Sequence, residues 1–198
     1  MERMARTALI IVDAQNDYLP GGSLGFPGSD EIIKPLVEFA NLAADVVIAS
    51  RNLYPPDHES FNLKRKPGDP IFTPSMEGSW PVNCVKGTKG ASVVPEIAHI
   101  AEYVVTKGMK RDQWGFSAFE AGTLRPLKSL EDILHDEKVT HVAVGGYWLE
   151  WCVAQTAFDA NALGYDTAVE MDLSMSLGGP FRASDQAAKL EKAGVTLA

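Results

Sequence analysis

Basic residues are scarce in this chain: 18 Lys and Arg stand against 26 Asp and Glu, for a net charge of −8. A nucleic-acid-binding surface needs the opposite balance, and no basic run occurs, so that class is set aside. Cysteine is rarer still. Cys84 and Cys152 do not make a disulfide framework, and in a reducing compartment both are expected as free thiols. No apolar run approaches the roughly 20 residues needed to cross a bilayer. The N-terminal run ALIIV is only strand-length, and no h-region with a small-residue cleavage site precedes it. A cytoplasmic location with no membrane contact is therefore expected. Repeats and low-complexity tracts are also missing. What remains is a chain of 198 residues, long enough for one substantial domain and short for two, read as a single domain over 1–198.

Short apolar runs alternate with helix-patterned segments. Strands are expected at 7–13 (TALIIVD), 45–50 (DVVIAS), 102–108 (EYVVTKG), 140–146 (THVAVGG), 166–172 (DTAVEMD) and in the closing VTLA. Helices are expected over 29–43 with Ser29 as a cap, near 125–136, over 150–164 with Gly164 as its stop, and over 183–194. Residues 51–92 are rich in Pro, Gly and polar groups without a sustained period. That is too long for a plain connection, and long loops in compact domains are often functional. Strands that are apolar throughout, spaced by helices, predict an α/β fold: three layers, α-β-α, around a mostly parallel sheet of about six strands.

In such folds the site lies at the carboxyl ends of the strands. The first strand ends in Asp13, the third in Lys107, and the fourth runs through two glycines to Cys152. Each residue has a plainer role when taken singly: a turn aspartate, a solvated lysine, a buried thiol at a helix start. Their coincidence at three strand ends points to chemistry. A helix start favours thiolate, an aspartate within reach can take the thiol proton, and a lysine adds positive charge for both. Backbone N–H groups in the turn 147–152 could bind an oxyanion. The trio describes acyl transfer through a thioester, with hydrolysis of an amide or related C–N bond.

The segments that carry these residues are together similar to the isochorismatase-like cysteine hydrolases, and among them to the nicotinamidases. IIVDAQNDYLPGGSLGFPGSDEI resembles their opening signature. WPVNCVKGTKGA resembles Trp-Pro-x-His-Cys-Val-x-Gly-Thr. TKGMKRDQWGFSAF resembles the segment carrying the family lysine, and GGYWLEWCVAQTAFDA that carrying the nucleophile. The resemblance spans nearly the whole chain, in order. It implies an isochorismatase-like, Rossmann-like fold, with Asp13 as general base, Lys107 as its partner and Cys152 as nucleophile. It also implies a cis peptide between Tyr147 and Trp148, an oxyanion hole from the N–H groups of Trp148 and Cys152, and substrate contacts from Tyr18 and Trp80. A homo-oligomer, dimer or larger, is implied too.

The same segments depart from the family where its metal is held. RNLYPPDHESF has Asn52 and Tyr54 in place of the Asp and His of the Asp-x-His pair, and Asn83 replaces the His of Trp-Pro-x-His-Cys. His58 remains, the one place near which a divalent metal such as zinc could still bind weakly. Asn and neutral Tyr are poor ligands, so no cofactor is expected. In the nucleophile segment Trp148, Leu149 and Glu150 stand where small residues and an Asp are common, and the bulky pair either narrows the pocket or repacks its wall. The leading expectation is an amidohydrolase that cleaves a small carboxamide, nicotinamide first, through Cys152 with release of ammonia. A carbamoyl, ureido or maleamate-type amide is the nearest alternative. A pseudoenzyme or binding protein is the reading from another class, and the intact trio speaks against it. A vinyl-ether hydrolase does not use a nucleophilic cysteine, so Cys152 speaks against that. Cys84 is read as structural.

Overall fold

The computed structural model describes residues 5–62, 80–124 and 126–198. The elements follow in the order β1 (Thr7–Val12), α1 (Ile33–Ala43), β2 (Val46–Asn52), α2 (Pro95–Ile100), β3 (Tyr103–Lys107), α3 (Leu130–Asp136), β4 (His141–Tyr147), α4 (Ala154–Ala162), β5 (Asp166–Met175), α5 (Gly179–Lys192) and β6 (Thr196–Leu197). A π-helical turn, Leu149–Val153, joins β4 to α4. The strands form one sheet of six in the order β3-β2-β1-β4-β5-β6, and all five pairings are parallel.

The sheet is covered on both faces. One apolar layer gathers Ile10, Val12, Ile48 and Val144 with Ile133 and Leu134 of α3, Ala157 of α4 and Leu190 of α5. The other gathers Leu9, Ile11 and Val47 with Leu36 of α1 and Ile97 of α2. Alternate residues of β1 feed opposite layers, so the strand is apolar from Ala8 to Val12. Each isoleucine buried there contributes about 1.5–3 kcal/mol.

Several element ends differ from their sequence expectation. Ser29 does not cap α1: its hydroxyl accepts from the Phe26 N–H at 3.2 Å, its carbonyl accepts from the Tyr147 hydroxyl at 2.6 Å, and the helix begins at Ile33. α2 lies where no helix was expected; Pro95 at its start is well suited to a first helical turn. Pro180 plays the same part in α5, which begins at Gly179. β5 runs three residues past its expected end because of a bulge, with Val144 opposite Val169 but Gly146 already opposite Ser174. Ser129 caps α3 through a reciprocal pair with Asp132. At Gly146 a Cβ would lie 2.2 Å from the Val12 carbonyl oxygen, and φ is +124°, so only glycine lets β4 press against β1 just before the site.

Part of the 51–92 loop, residues 63–79, lies outside the described residues. Its remaining ends are tied by isolated bridges, Tyr54 with Val85 and Phe61 with Trp80. Among the described residues no helix is long and apolar enough to cross a membrane.

Candidate active site

Strand register brings the polar residues together. β1 lies between β2 and β4, so the residue after Val12 emerges beside the ends of both neighbours. Asn52 is the register partner of Lys107 across β2 and β3. Asp13 turns the chain off β1 with φ +53°, a left-handed conformation that aspartate tolerates better than most residues. Its N–H is held by the Ser50 carbonyl and hydroxyl, both at 3.2 Å.

The trio named from the sequence converges. Lys107 Nζ donates to Asp13 Oδ2 at 2.8 Å, and both side chains are fully buried. The other two ammonium protons go to the carbonyls of Gly115 at 2.8 Å and Phe116 at 2.9 Å. Gly115 permits this approach, since a Cβ there would stand 2.9 Å from the Gly108 nitrogen. The Cys152 thiol interacts with both Asp13 and Lys107, through charge and side-chain hydrogen bonding. With three ammonium protons committed to oxygens, Lys107 acts on the sulfur mainly as a charge.

Electrostatics correct one expectation. A helix start favours thiolate, yet burial pushes the Cys152 thiol up to about 12, with Lys107 opposing the rise and Asp13 adding to it. Desolvation outweighs the Lys107 charge here, which favours the neutral thiol. Burial alone would lower the Lys107 pKa, but Asp13 and Cys152 more than compensate and raise it. The resting charge pattern is a buried ammonium–carboxylate pair beside a neutral thiol.

Residues given little weight in the sequence complete the arrangement. Ser50 Oγ donates to Asp13 Oδ1 at 2.7 Å. Asn52 Nδ2 donates to Asp13 Oδ2 and to the Tyr18 hydroxyl, each at 2.9 Å, and its Oδ1 accepts from the Tyr54 hydroxyl at 3.1 Å. Ser50 could have been found by the strand-end rule that found Asp13, since it lies near the end of β2. The Gly115 and Phe116 carbonyls could not, because backbone acceptors leave no sequence signal.

The remaining predicted residues are placed as follows. The Tyr147–Trp148 peptide is cis. Tyr147 is buried and stacks on Tyr18 at 5.9 Å. Trp148 lies among Tyr18, Phe26 and Tyr147 with ring centroids 5.2–5.7 Å from its own. Its indole N–H is buried without a hydrogen-bond partner among the described residues. Trp80 is half-buried and packs edge-on against Trp151 at 5.2 Å. Tyr18 and Trp80 make no ring contact with each other among the described residues. Glu150 holds the segment leading into α5, accepting from the Ser176 hydroxyl and the N–H groups of Leu177 and Gly178. Cys84 is fully buried at φ +47°, and its N–H donates to Asp17 at 2.6 Å.

The family model for the isochorismatase domain matches residues 7–196. The chain belongs to the isochorismatase family. Within it, the chain is 32% identical over 177 residues to the nicotinamidase of Acinetobacter baylyi, covering 87% of this chain and 82% of that one. Among solved structures it is similar to yeast nicotinamidase Pnc1p, with a TM-score of 0.81 and 29% identity over 96% of this chain and 98% of that one. It is also similar to the pyrazinamidase of Pyrococcus horikoshii in complex with zinc, at a TM-score of 0.76 and 28% identity, covering 98% of each chain.

The donor set of this family member does not suit the metal that the resemblance implies. Every side-chain polar atom of Asn52 is already bonded within the protein. Burial raises the Tyr54 pKa well above its ordinary value, which keeps the hydroxyl neutral. The Gln113 carbonyl, 3.0 Å from His58 Nε2, requires a proton on that nitrogen, and the Ser60 N–H and hydroxyl occupy Nδ1. Asn83 Nδ2 donates to the Pro81 carbonyl. Among the described residues, no group of three or more His, Cys, Asp or Glu could hold a metal ion.

Proposed function

We propose that this isochorismatase-family chain is an amidohydrolase that cleaves a small carboxamide through a Cys152 thioester, with nicotinamide the favoured substrate and no step that needs a metal. The observation that carries this reading is the fully buried Asp13–Lys107 pair set against the Cys152 thiol. The nicotinamidase relatives support the C–N bond specificity.

The chemistry follows from charge conservation in a dry site. Asp13 takes the thiol proton as sulfur attacks the amide carbonyl. The carboxylate loses its charge as the sulfur gains one, so Lys107 exchanges one counterion for another and no net charge is created. The N–H groups of Trp148 and Cys152 bind the oxyanion of the tetrahedral adduct. Asp13 then returns its proton to the departing nitrogen, the C–N bond breaks, and ammonia leaves. Water, deprotonated by Asp13, attacks the thioester. The C–S bond breaks, the carboxylic acid leaves, and the proton returns to sulfur.

The changed donor set favours a second substrate class, carbamoyl, ureido or maleamate-type amides. Among the described residues, the Trp148 indole N–H and Asn83 Oδ1 leave one donor and one acceptor unmatched. Ammonia release from a panel of small amides tests both readings, with wild type run beside Cys152→Ala, with and without chelator. Release that needs Cys152 and ignores chelator is expected. Loss of release with chelator overturns the metal-free site. Silence across the panel returns the pseudoenzyme reading.

A further inference from the structure

Asp13 has more hydrogen-bond donors around it than the ion pair requires, and their distribution over its two oxygens is uneven. A carboxylate offers about four lone-pair positions, two on each oxygen. Oδ2 accepts from Lys107 Nζ at 2.8 Å and from Asn52 Nδ2 at 2.9 Å, which fills it. Oδ1 accepts from Ser50 Oγ at 2.7 Å, which fills half of it. One position is left, on Oδ1, for the thiol of Cys152, which lies in hydrogen-bonding reach of this carboxylate.

Resting on the reaction proposed above, we propose that Asn52 is a positioning residue: with Lys107 it saturates Oδ2 of Asp13, so that the Cys152 proton is delivered to Oδ1. The amide is held for this task at every atom. Its second N–H goes to the Tyr18 hydroxyl and its oxygen accepts from the Tyr54 hydroxyl, so the amide cannot flip without losing bonds. Gln15 fixes the backbone of the same residue from both sides, accepting from the Asn52 N–H and donating to its carbonyl, each at 2.8 Å. A neutral donor is required. A carboxylate at position 52 would stand within 2.9 Å of Asp13, and two such groups without a cation between them share a proton. That shared proton would occupy the base which the thiol needs.

The test is the rate at which iodoacetamide alkylates Cys152 near neutral pH, read by peptide mass spectrometry so that buried Cys84 does not contribute. Chelator is present throughout, which prevents a stray cation from bridging an introduced carboxylate. Wild type is compared with Asn52→Asp and Asn52→Ala, both checked for fold by circular dichroism. Alkylation is expected to slow about tenfold or more in each variant, and further in Asn52→Asp, on the scale of a lost hydrogen bond to a charged group. On the best amide of the panel, kcat should fall in parallel while KM stays within about twofold. A purely structural role predicts the reverse, because a loosened site admits the reagent faster. Faster or unchanged alkylation in a folded variant overturns the proposal. If Asn52→Asp does not fold, Asn52→Ala decides alone, and Asn52→Ser replaces it if that too fails. Should the wild type release no ammonia yet show the expected difference in alkylation, the amidase reading falls and the role of Asn52 stands.

Discussion

Replacing Lys107 with methionine keeps an unbranched side chain, one atom shorter, and removes its charge. In the folded protein Lys107 and Asp13 are both fully buried and 2.8 Å apart. The variant leaves the Asp13 carboxylate with neutral side-chain partners, Ser50 and Asn52 among them, and no cation, and it strips the Gly115 and Phe116 carbonyls of the ammonium that serves them. Breaking a buried pair from one side costs about 3–5 kcal/mol, because the surviving charge is uncompensated. Total stabilities run at about 5–15 kcal/mol, so the variant should be marginal. In a chain of this size each kcal/mol moves Tm by about 2–4 °C, which gives a fall of roughly 6–20 °C by calorimetry. The double variant Lys107→Met with Asp13→Asn should melt above Lys107→Met alone, since neutralising Asp13 removes the orphaned charge. Their coupling, measured as a double-mutant cycle, should exceed about 1 kcal/mol. A Lys107→Met protein that melts within about 2 °C of wild type, or a double variant less stable than the single one, would refute the claim that a charged pair sits in a dry site.

Two further outcomes are expected. Burial raises the pKa of Cys152, Cys84, Tyr18 and Tyr54, so each keeps its proton in the folded chain at a pH where the unfolded chain has lost it. The folded state then binds more protons, and stability falls as pH climbs from about 9 towards 12, by about 1.4 kcal/mol per unit for each group in its window. Tm against pH should be flat near neutrality and drop above pH 9, and a rise there would contradict the burial of these groups. Glu150→Ala removes the acceptor of the Ser176 hydroxyl and of the Leu177 and Gly178 N–H groups. It should cost about 1–3 kcal/mol and speed hydrogen exchange at Leu177 and Gly178.

Apolar strands spaced by helices were enough to read the α/β class and the parallel sheet, because burial on both faces makes consecutive residues apolar, as from Ala8 to Val12 in β1. The strand-end rule located Asp13 and Lys107, and the nucleophile segment located Cys152, since chemistry at such folds collects where strands stop. Local punctuation was less legible. Pro95 and Pro180 open helices here, and Ser29 serves Tyr147 instead of capping α1, because tertiary partners decided between alternatives that the local sequence allows equally.

Only the tertiary structure decided what surrounds the trio. The state of Cys152 depends on a contest between desolvation and the Lys107 charge, and both come from the chain packed around it. The sequence showed that Asn52 stands where a charged ligand was expected. It could not show that the amide faces Asp13, because that contact joins the ends of two strands 39 residues apart. Residue type and spacing determine which groups are available; register, burial and the direction of each hydrogen bond determine what they do, and these exist only once the sheet has formed.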